Sequence, residues 1–509
     1  MTSALRAAID RAQDAEPTGD HVRSPLHALG RRQLSQLDLI GQSLSTIAPA
    51  TGMVFIALWM TVSDPGVGGV LTIAATTGVV VLVALCITQF TRRLAAAGSL
   101  YSFVFQGLGT RAALVTGTAL IVGYLGISIS VLAQGARTVL DIGELAGLYL
   151  PGTGPWLVTA TVLGGVVALI AVRGVRFATR AILVVETCSL ILIVATMLVS
   201  PAGGPATTEL PVSPLSLLPF LALMTVLSMA GFESAAFFGP EARRPLVTVS
   251  RTVIVTPLVV GALFVFAAAA SLTGRGSLIV GAYFDGVDSG ASWAVVLAVK
   301  TGMACSWFAS TLGCAQAGSR LLYSMGVERV LPSALARVHG TLRTPYPAVV
   351  AFVAVSVAGA CLYTLLADAD SSVFDGVVEI ALVAAYTLVA VASLRFLHRI
   401  GEDTAWTRSA AVFVALLGGG LLAATTVDGI VHSLLVVPAA LVVLLVSGPV
   451  WRSVLRRLRP QSLATIGAFD TVETTDLLPG AGTLVLDEHG RPRIVTGGTA
   501  EPESSGERM

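Results

Sequence analysis

The residues Gln42-Ser43-Leu44-Ser45-Thr46-Ile47-Ala48-Pro49-Ala50-Thr51-Gly52 lie inside an apolar run long enough to cross a bilayer. A proline there removes one helical hydrogen bond and clashes with the preceding turn. The surrounding hydroxyls and Gly52 can re-satisfy the freed backbone groups. A second run holds Ser228-Met229-Ala230-Gly231-Phe232-Glu233-Ser234, which sets a glycine beside a carboxylate at mid-helix depth. A charge at that depth is expensive and usually faces a cavity. A broken helix offers N–H groups at one end, suited to a carboxylate, and C=O groups at the other, suited to an ammonium or a sodium ion. Taken singly, Pro49 reads as a kink and Gly231 as a packing residue. Together they stand 182 residues apart (231 − 49), near the length of a five-span unit in this chain. That spacing predicts two five-helix repeats of inverted topology, with helices one and six broken, followed by two extra helices.

The surrounding sequence supports the same reading. Apolar stretches fall at 37–62, 67–90, 111–138, 154–173, 178–200, 216–240, 249–272, 292–322, 346–366, 373–397, 407–425 and 428–449. Each is long enough to span, so the fold class is an all-α polytopic membrane protein with about twelve transmembrane helices. Alternate gaps hold Arg92, Arg93 and Arg111; Arg173, Arg176 and Arg180; Arg243, Arg244 and Arg251; Arg320, Arg329, Arg337 and Arg343; Arg395, Arg399 and Arg408. The intervening gaps hold Asp64, Asp141, Glu144, Glu209, Asp285, Asp288, Asp368 and Asp370, with Arg275 and, near a helix end, Arg137. A wrong span count would scramble this alternation. The positive-inside rule then puts the arginine-bearing gaps and both termini in the cytoplasm. Arg23, Arg31 and Arg32 precede the first span, and residues 1–35 read as a polar cytoplasmic tail without a cleavable signal. Residues 36–450 read as the transmembrane domain and 451–509 as a second cytoplasmic tail. That tail opens on Arg452, Arg456, Arg457 and Arg459, suited to anionic lipid. It holds a candidate hairpin at Leu484–Val495 around His489-Gly490 and is otherwise expected to be disordered.

Composition agrees. Of 509 residues, 54% are hydrophobic and 12% charged, about half the charged share of a soluble protein. The basic residues are 30 arginines and one lysine, Lys300. That bias, with abundant alanine, valine and glycine, suggests a bacterial genome and hence a bacterial cytoplasmic membrane. Cys86, Cys188, Cys305, Cys314 and Cys361 all fall in apolar stretches and read as small buried hydrophobes. Of the histidines only His432 falls in a span. No nucleotide-binding glycine loop, nucleophile–histidine pairing or metal-ligand cluster stands out, and the soluble parts are short for a catalytic domain. No enzyme, cofactor, metal or nucleic-acid partner is expected.

Three stretches carry a further likeness. One is Ala97-Gly98-Ser99-Leu100-Tyr101-Ser102-Phe103. The next is Ala230-Gly231-Phe232-Glu233-Ser234-Ala235-Ala236, followed by Pro240-Glu241-Ala242-Arg243-Arg244-Pro245. The third is Ala317-Gly318-Ser319-Arg320-Leu321-Leu322-Tyr323, with Leu331-Pro332, Val338-His339 and Arg343-Thr344-Pro345 after it. Over about residues 36–450 the chain resembles the amino acid–polyamine–organocation superfamily of permeases. The resemblance implies a substrate held between helices one, three, six, eight and ten, an amino acid or related amine. It implies that helix one is unwound at Ile47, Ala48, Pro49 and Ala50, with free amides of that stretch holding the substrate carboxylate, and that carbonyls near Met229, Ala230 and Gly231 receive its amino group. It makes Phe232 an aromatic gate and places selectivity around Gly123 and Tyr124. The chain departs from the family in lacking a glycine-rich break in helix one. Where some proton-coupled members carry a lysine in helix five, this chain has Glu186.

Glu186 sits in Leu183-Val184-Val185-Glu186-Thr187-Cys188, where desolvation favours the neutral acid. It can carry a proton or ligate a cation, with Ser310 and Thr311 of helix eight, or serve as a neutral hydrogen-bonding acid. Glu233 can brace the broken helix, contact an amine or ligate a cation. Glu379 lies in the outer part of helix ten and can face the outer vestibule. Lys300, about 30 Å of helix from Arg320, is expected to snorkel outward or line that vestibule. Arg320 and Glu241 can form a cytoplasmic gate. The expected activity is alternating-access transport of an amino acid or related amine across the lipid bilayer, coupled to protons or to Na+. The alternatives are a polyamine or amine exchanger of the same fold, and a transporter-like sensor using its tail.

Overall fold

The computed structural model describes residues 28–30, 33–62, 65–199, 217–366, 371–467, 483–486 and 492–495. The readings placed on Arg23, Arg31, Arg32, Asp64, Glu209, Asp368, Asp370 and the hairpin turn at His489-Gly490 lie outside the described residues. Among those described, twelve helices are long and apolar enough to cross a membrane. We number them as spans 1 to 12: Gln36–Val62, Gly66–Thr91, Thr110–Leu145, Thr153–Val172, Val175–Val199, Leu218–Glu241, Pro245–Leu272, Trp293–Val327, Tyr346–Leu365, Val373–Ile400, Ala405–Val431 and Val436–Leu458. The chain is a polytopic all-α membrane protein. Two short antiparallel strands, Thr483–Leu486 and Pro492–Val495, form the arms of the expected hairpin.

The helix ends differ from the apolar stretches for a simple reason. Hydropathy marks the part of a helix that meets lipid, whereas the hydrogen-bonded helix continues into the polar zone. Span 3 therefore runs past Arg137 and Asp141 to Leu145, and span 8 past Arg320 to Val327. The final pair needs a larger correction. Span 11 continues to Val431, and the turn to span 12 is made at His432 and Ser433, whose φ of 60° ends the helix. His432 thus lies in an exposed turn, not in a span. The cysteines also divide. Cys86 and Cys314 are buried, Cys305 and Cys361 are half-buried, and Cys188 is exposed on the bundle's outer face.

The packing carries the internal repeat. Span 2 packs on span 7, span 3 on span 8, and span 4 on span 9, each the fifth helix after its partner. Span 3 also packs on span 10, and the mirrored pair, span 8 on span 5, is present as well. Each half inserts a short helix between its second and third spans: Leu100–Leu108 in the first and Arg275–Phe284 in the second. Spans 11 and 12 are the least buried and lie against spans 10 and 3 respectively.

The two ends of the bundle are chemically distinct. Arg93 pairs with Glu402, Arg399 donates to the Gln106 carbonyl at 2.5 Å, and Arg176 donates to the Gln33 carbonyl at 3.0 Å. These contacts gather the arginine-bearing gaps at one end. At the opposite end Lys300 of span 8 pairs with Asp141 of span 3 at 2.8 Å.

Two chain segments seal the arginine-bearing end. Before span 1, the Gln33 and Leu34 amides donate to the Glu241 carbonyl at 2.8 and 3.0 Å, and Arg243 N–H returns to Leu34 O at 3.0 Å. Ser35 then caps span 1 in a reciprocal box with Asp38. After span 12, the turn Ser462–Thr465 folds under span 8. There the Thr465 hydroxyl donates to the Glu328 carbonyl at 2.8 Å and the Gly467 amide to Glu328 Oε1 at 2.7 Å. The Tyr101 hydroxyl reaches the other carboxylate oxygen at 2.6 Å, so one glutamate joins three separate parts of the chain.

Candidate functional site

Span 1 breaks at Ala48. The helix Gln36–Ile47 ends there, and Pro49–Val62 restarts, because Pro49 brings no N–H to continue the ladder. Ala48 adopts φ 56° and ψ 60°, left-handed geometry that costs a non-glycine residue about 1–2 kcal/mol. Its N–H closes onto the Leu44 and Ser45 carbonyls at 3.1 Å, and its C=O takes the Thr51 hydroxyl at 2.7 Å. The neighbouring hydroxyls thus supply the compensation that a proline-broken membrane helix requires.

Span 6 breaks at Gly231, where φ is 101°. The helix Leu217–Ser228 gives way to a 3-10 segment, Phe232–Glu241, that holds Pro240. Glycine is required here for space as well as for φ, since a Cβ would lie 2.6 Å from Thr46 Cγ2 of span 1. The two breaks therefore touch. Ser43 of span 1 accepts the Ala235 amide at 3.1 Å, near the start of the 3-10 segment. Span 8 completes the junction: Ser310 donates to the Thr46 carbonyl at 2.9 Å, and Gln42 donates to the Gly313 carbonyl at 2.9 Å.

Two buried carboxylates attend these breaks. Glu186 of span 5 accepts the Ala50 amide at 3.3 Å and the Ser306 hydroxyl at 3.0 Å, both on Oε1. Among the described residues its Oε2 is buried and meets no hydrogen-bond partner. Glu233 is held differently. Tyr124 of span 3 donates to Oε1 at 2.9 Å, while Tyr386 of span 10 and the Gly231 amide donate to Oε2 at 2.9 and 3.2 Å. Two tyrosine hydroxyls and one backbone amide thus satisfy both of its oxygens. The Phe232 ring lies 5.6 Å from that of Tyr386, so the aromatic at the break packs against span 10.

The structure brings Ile47, Ala48, Pro49, Ala50, Met229, Ala230, Gly231, Phe232, Glu233, Tyr124 and Glu186 into one buried region. It alters several finer expectations. Among the four residues at the first break, the Ala48 amide is used within the chain, Pro49 has none, and the Ala50 amide meets Glu186. The hydroxyl that meets Glu186 belongs to Ser306, one turn before Ser310, and Thr311 donates to the Trp307 carbonyl of its own helix. Gly123 packs against span 10, where a Cβ would meet Leu382 at 2.5 Å. Glu379 accepts the Thr425 hydroxyl of span 11 at 2.6 Å, which ties it to the added helices instead of to the vestibule. Lys300 does lie at the end opposite Arg320, but it is 7% exposed and ion-paired instead of snorkelling.

Sequence reasoning missed Tyr386 and Ser306. Tyr386 is the one tyrosine of span 10, and a phenol in an apolar run signals a buried partner. Ser306 had no such signal, because its role depends on which face of span 8 meets span 5.

Each end of this region is closed. On the arginine-bearing side Arg320 donates through Nε and Nη2 to the two oxygens of Glu241, at 2.5 and 3.0 Å. Arg320 also donates to Gln316 O and Oε1 at 2.9 and 2.7 Å, and its guanidinium sits 4.1 Å from the Phe238 ring centroid. Both charges are buried, so the bidentate geometry and the extra hydrogen bonds must offset a desolvation cost of several kcal/mol per ion. On the other side Tyr283, from the short helix Arg275–Phe284, contacts Thr138 of span 3 at 3.1 Å and receives the Trp307 indole N–H at 3.3 Å. Its ring faces Lys300 at 5.8 Å.

A twelve-helix bundle with paired helix breaks between two closed ends has the architecture of a secondary transporter. The sequence profile of the amino acid permease family matches residues 34–454, and the chain belongs to that family, within the amino acid–polyamine–organocation superfamily. A comparison with curated proteins finds no match.

Proposed function

We propose that the protein moves an amino acid or related amine by alternating access and couples that movement to protons through Glu186. The family supports a transporter of amino acids or amines. The observation that carries the coupling is the placement of Glu186: one oxygen joins spans 5, 1 and 8 at the first break, and the other has no partner among the described residues. A carboxyl that gains or loses a proton there changes what the break can hold. The Arg320–Glu241 pair serves as the gate at the arginine-bearing end, which faces the cytoplasm by the positive-inside rule. In this reading the membrane is the bacterial cytoplasmic membrane and both termini lie inside.

The test is uptake of radiolabelled amino acids and amines by proteoliposomes under an imposed pH gradient. Accumulation that follows an inward proton gradient supports the reading. Movement seen only against preloaded substrate replaces it with a second reading, an amine exchanger of the same fold. One observation favours that second reading: among the described residues Glu233 is met only by neutral donors and has no cationic side-chain partner, so a cargo ammonium can supply the missing charge.

A further inference from the structure

Outside the central site, the clearest unpaired charge lies where span 12 ends. Leu458, Arg459 and Ser462 form one wall of a cleft of about 430 Å3, and Arg329 and Ser333, from the connection between spans 8 and 9, form the other. Among the described residues no acidic side chain lines it. Among the described residues neither guanidinium makes an ion pair or a side-chain hydrogen bond. The nearest carboxylate in sequence, Glu328, is already engaged by the Tyr101 hydroxyl and the Gly467 amide.

The walls are fixed relative to one another. The Ser462 hydroxyl donates to the Arg329 carbonyl at 3.2 Å, across the cleft. Arg329 itself is held at φ 57° by a turn in which the Val330 and Leu331 amides both return to the Met325 carbonyl, at 2.9 and 3.0 Å. Two guanidiniums and the Ser333 hydroxyl around one opening suit a phosphate, which accepts from all of them. Leu458, the last residue of span 12, is 75% exposed beside the cleft, so the opening borders the zone where acyl chains end.

We propose that this cleft holds the phosphate of an anionic lipid headgroup, with Arg329 and Arg459 as its two charges. Free phosphate shares the chemistry, but the exposed Leu458 favours a ligand that carries a hydrocarbon chain. A bound headgroup would pin the segment after span 12 to the end of span 8, so lipid would strengthen the seal at this end of the bundle. Interfacial arginines each add modestly to such binding, and each one removed should weaken it about five-fold.

The experiment uses the full chain in neutral detergent, titrated in turn with phosphatidylglycerol, phosphatidylcholine and inorganic phosphate, with thermal unfolding as the readout. Arg329→Gln, Arg459→Gln and the distant control Arg251→Gln are compared with the parent. The two test variants change exposed side chains independently, so either alone carries the result if the other fails to fold. The expected result is a rise in melting temperature with phosphatidylglycerol for the parent and Arg251→Gln, reached only at about five-fold more lipid in either test variant. An equal response in all four proteins, an equal response to phosphatidylcholine, or no response to either anion overturns the proposal. An arginine-dependent response to inorganic phosphate as large as that to phosphatidylglycerol overturns the lipid assignment and makes the cleft a free-phosphate site.

Discussion

Glu186 and Ala50 are 136 residues apart and meet at 3.3 Å, carboxylate oxygen to backbone amide, where span 1 restarts after its break. An acid from span 5 therefore occupies the N-terminal end of a half-helix, the place where a helix dipole best accommodates negative charge. The family likeness assigned that place to the cargo's carboxylate. In this chain a side chain already stands there.

Glu186→Gln tests this directly. The amide oxygen can still accept from Ala50 and Ser306, so the bundle should fold with little loss of stability. The proton is no longer exchangeable. Uptake driven by a pH gradient should fall at least ten-fold, and its dependence on pH should flatten, while exchange between preloaded and external substrate persists. Unchanged gradient-driven accumulation in proteoliposomes would remove Glu186 from coupling.

The tyrosine pair around Glu233 makes a graded prediction. Tyr124→Phe and Tyr386→Phe each delete one hydrogen bond to a carboxylate, worth about 1.5–3 kcal/mol. Binding of the best substrate, measured by calorimetry, should weaken in each variant, and the double variant should depart from additivity because both bonds serve one group. Wild-type affinity in both singles would show that Glu233 is held by the break alone.

Arg320→Ala leaves the Glu241 carboxylate buried without its partner, a change that costs about 3–5 kcal/mol. The melting temperature should drop sharply. Arg320→Gln combined with Glu241→Gln should recover much of that stability yet leave the end of the bundle easier to open. Cysteine-reagent access to positions engineered below the break measures the opening. Access and uptake that match the parent in Arg320→Ala would end the gate assignment.

Ala48 offers a test of strain. Ala48→Gly relieves a left-handed alanine and should hold stability within about 1 kcal/mol of the parent, the relief being partly offset by the greater freedom of glycine when unfolded. Ala48→Val places a β-branched residue in the same geometry and should be clearly destabilised. Equal melting temperatures for the two variants would mean that the break is not fixed at this residue.

Much of this was legible in the chain because hydropathy and charge act on whole segments. The twelve spans, the breaks at Pro49 and Gly231 and the pairing of Arg320 with Glu241 each follow from residues whose environment is costly in any fold that buries them. What was not legible depends on the rotation of one helix against another. Ser306, Ser310 and Thr311 are interchangeable in an apolar run, and only the facing of span 8 toward span 5 selects Ser306. Likewise Lys300 was placed at the correct end by counting helix rise, but its partner Asp141 lies 159 residues away and carries no sequence mark. The boundary of span 12 was misplaced because Gly429 to Leu435 is apolar enough to read as helix, while Ser433 is the residue that turns.

The junction at Glu328 has a practical consequence for anyone handling this protein. Its partner Gly467 lies beyond the last span, so the seal forms only after the whole bundle has left the ribosome. An affinity handle or fluorescent reporter fused directly after Arg459 would delete that closure while leaving every span intact. The same fusion placed beyond Gly467 keeps it, and the two preparations would be different proteins under the same label.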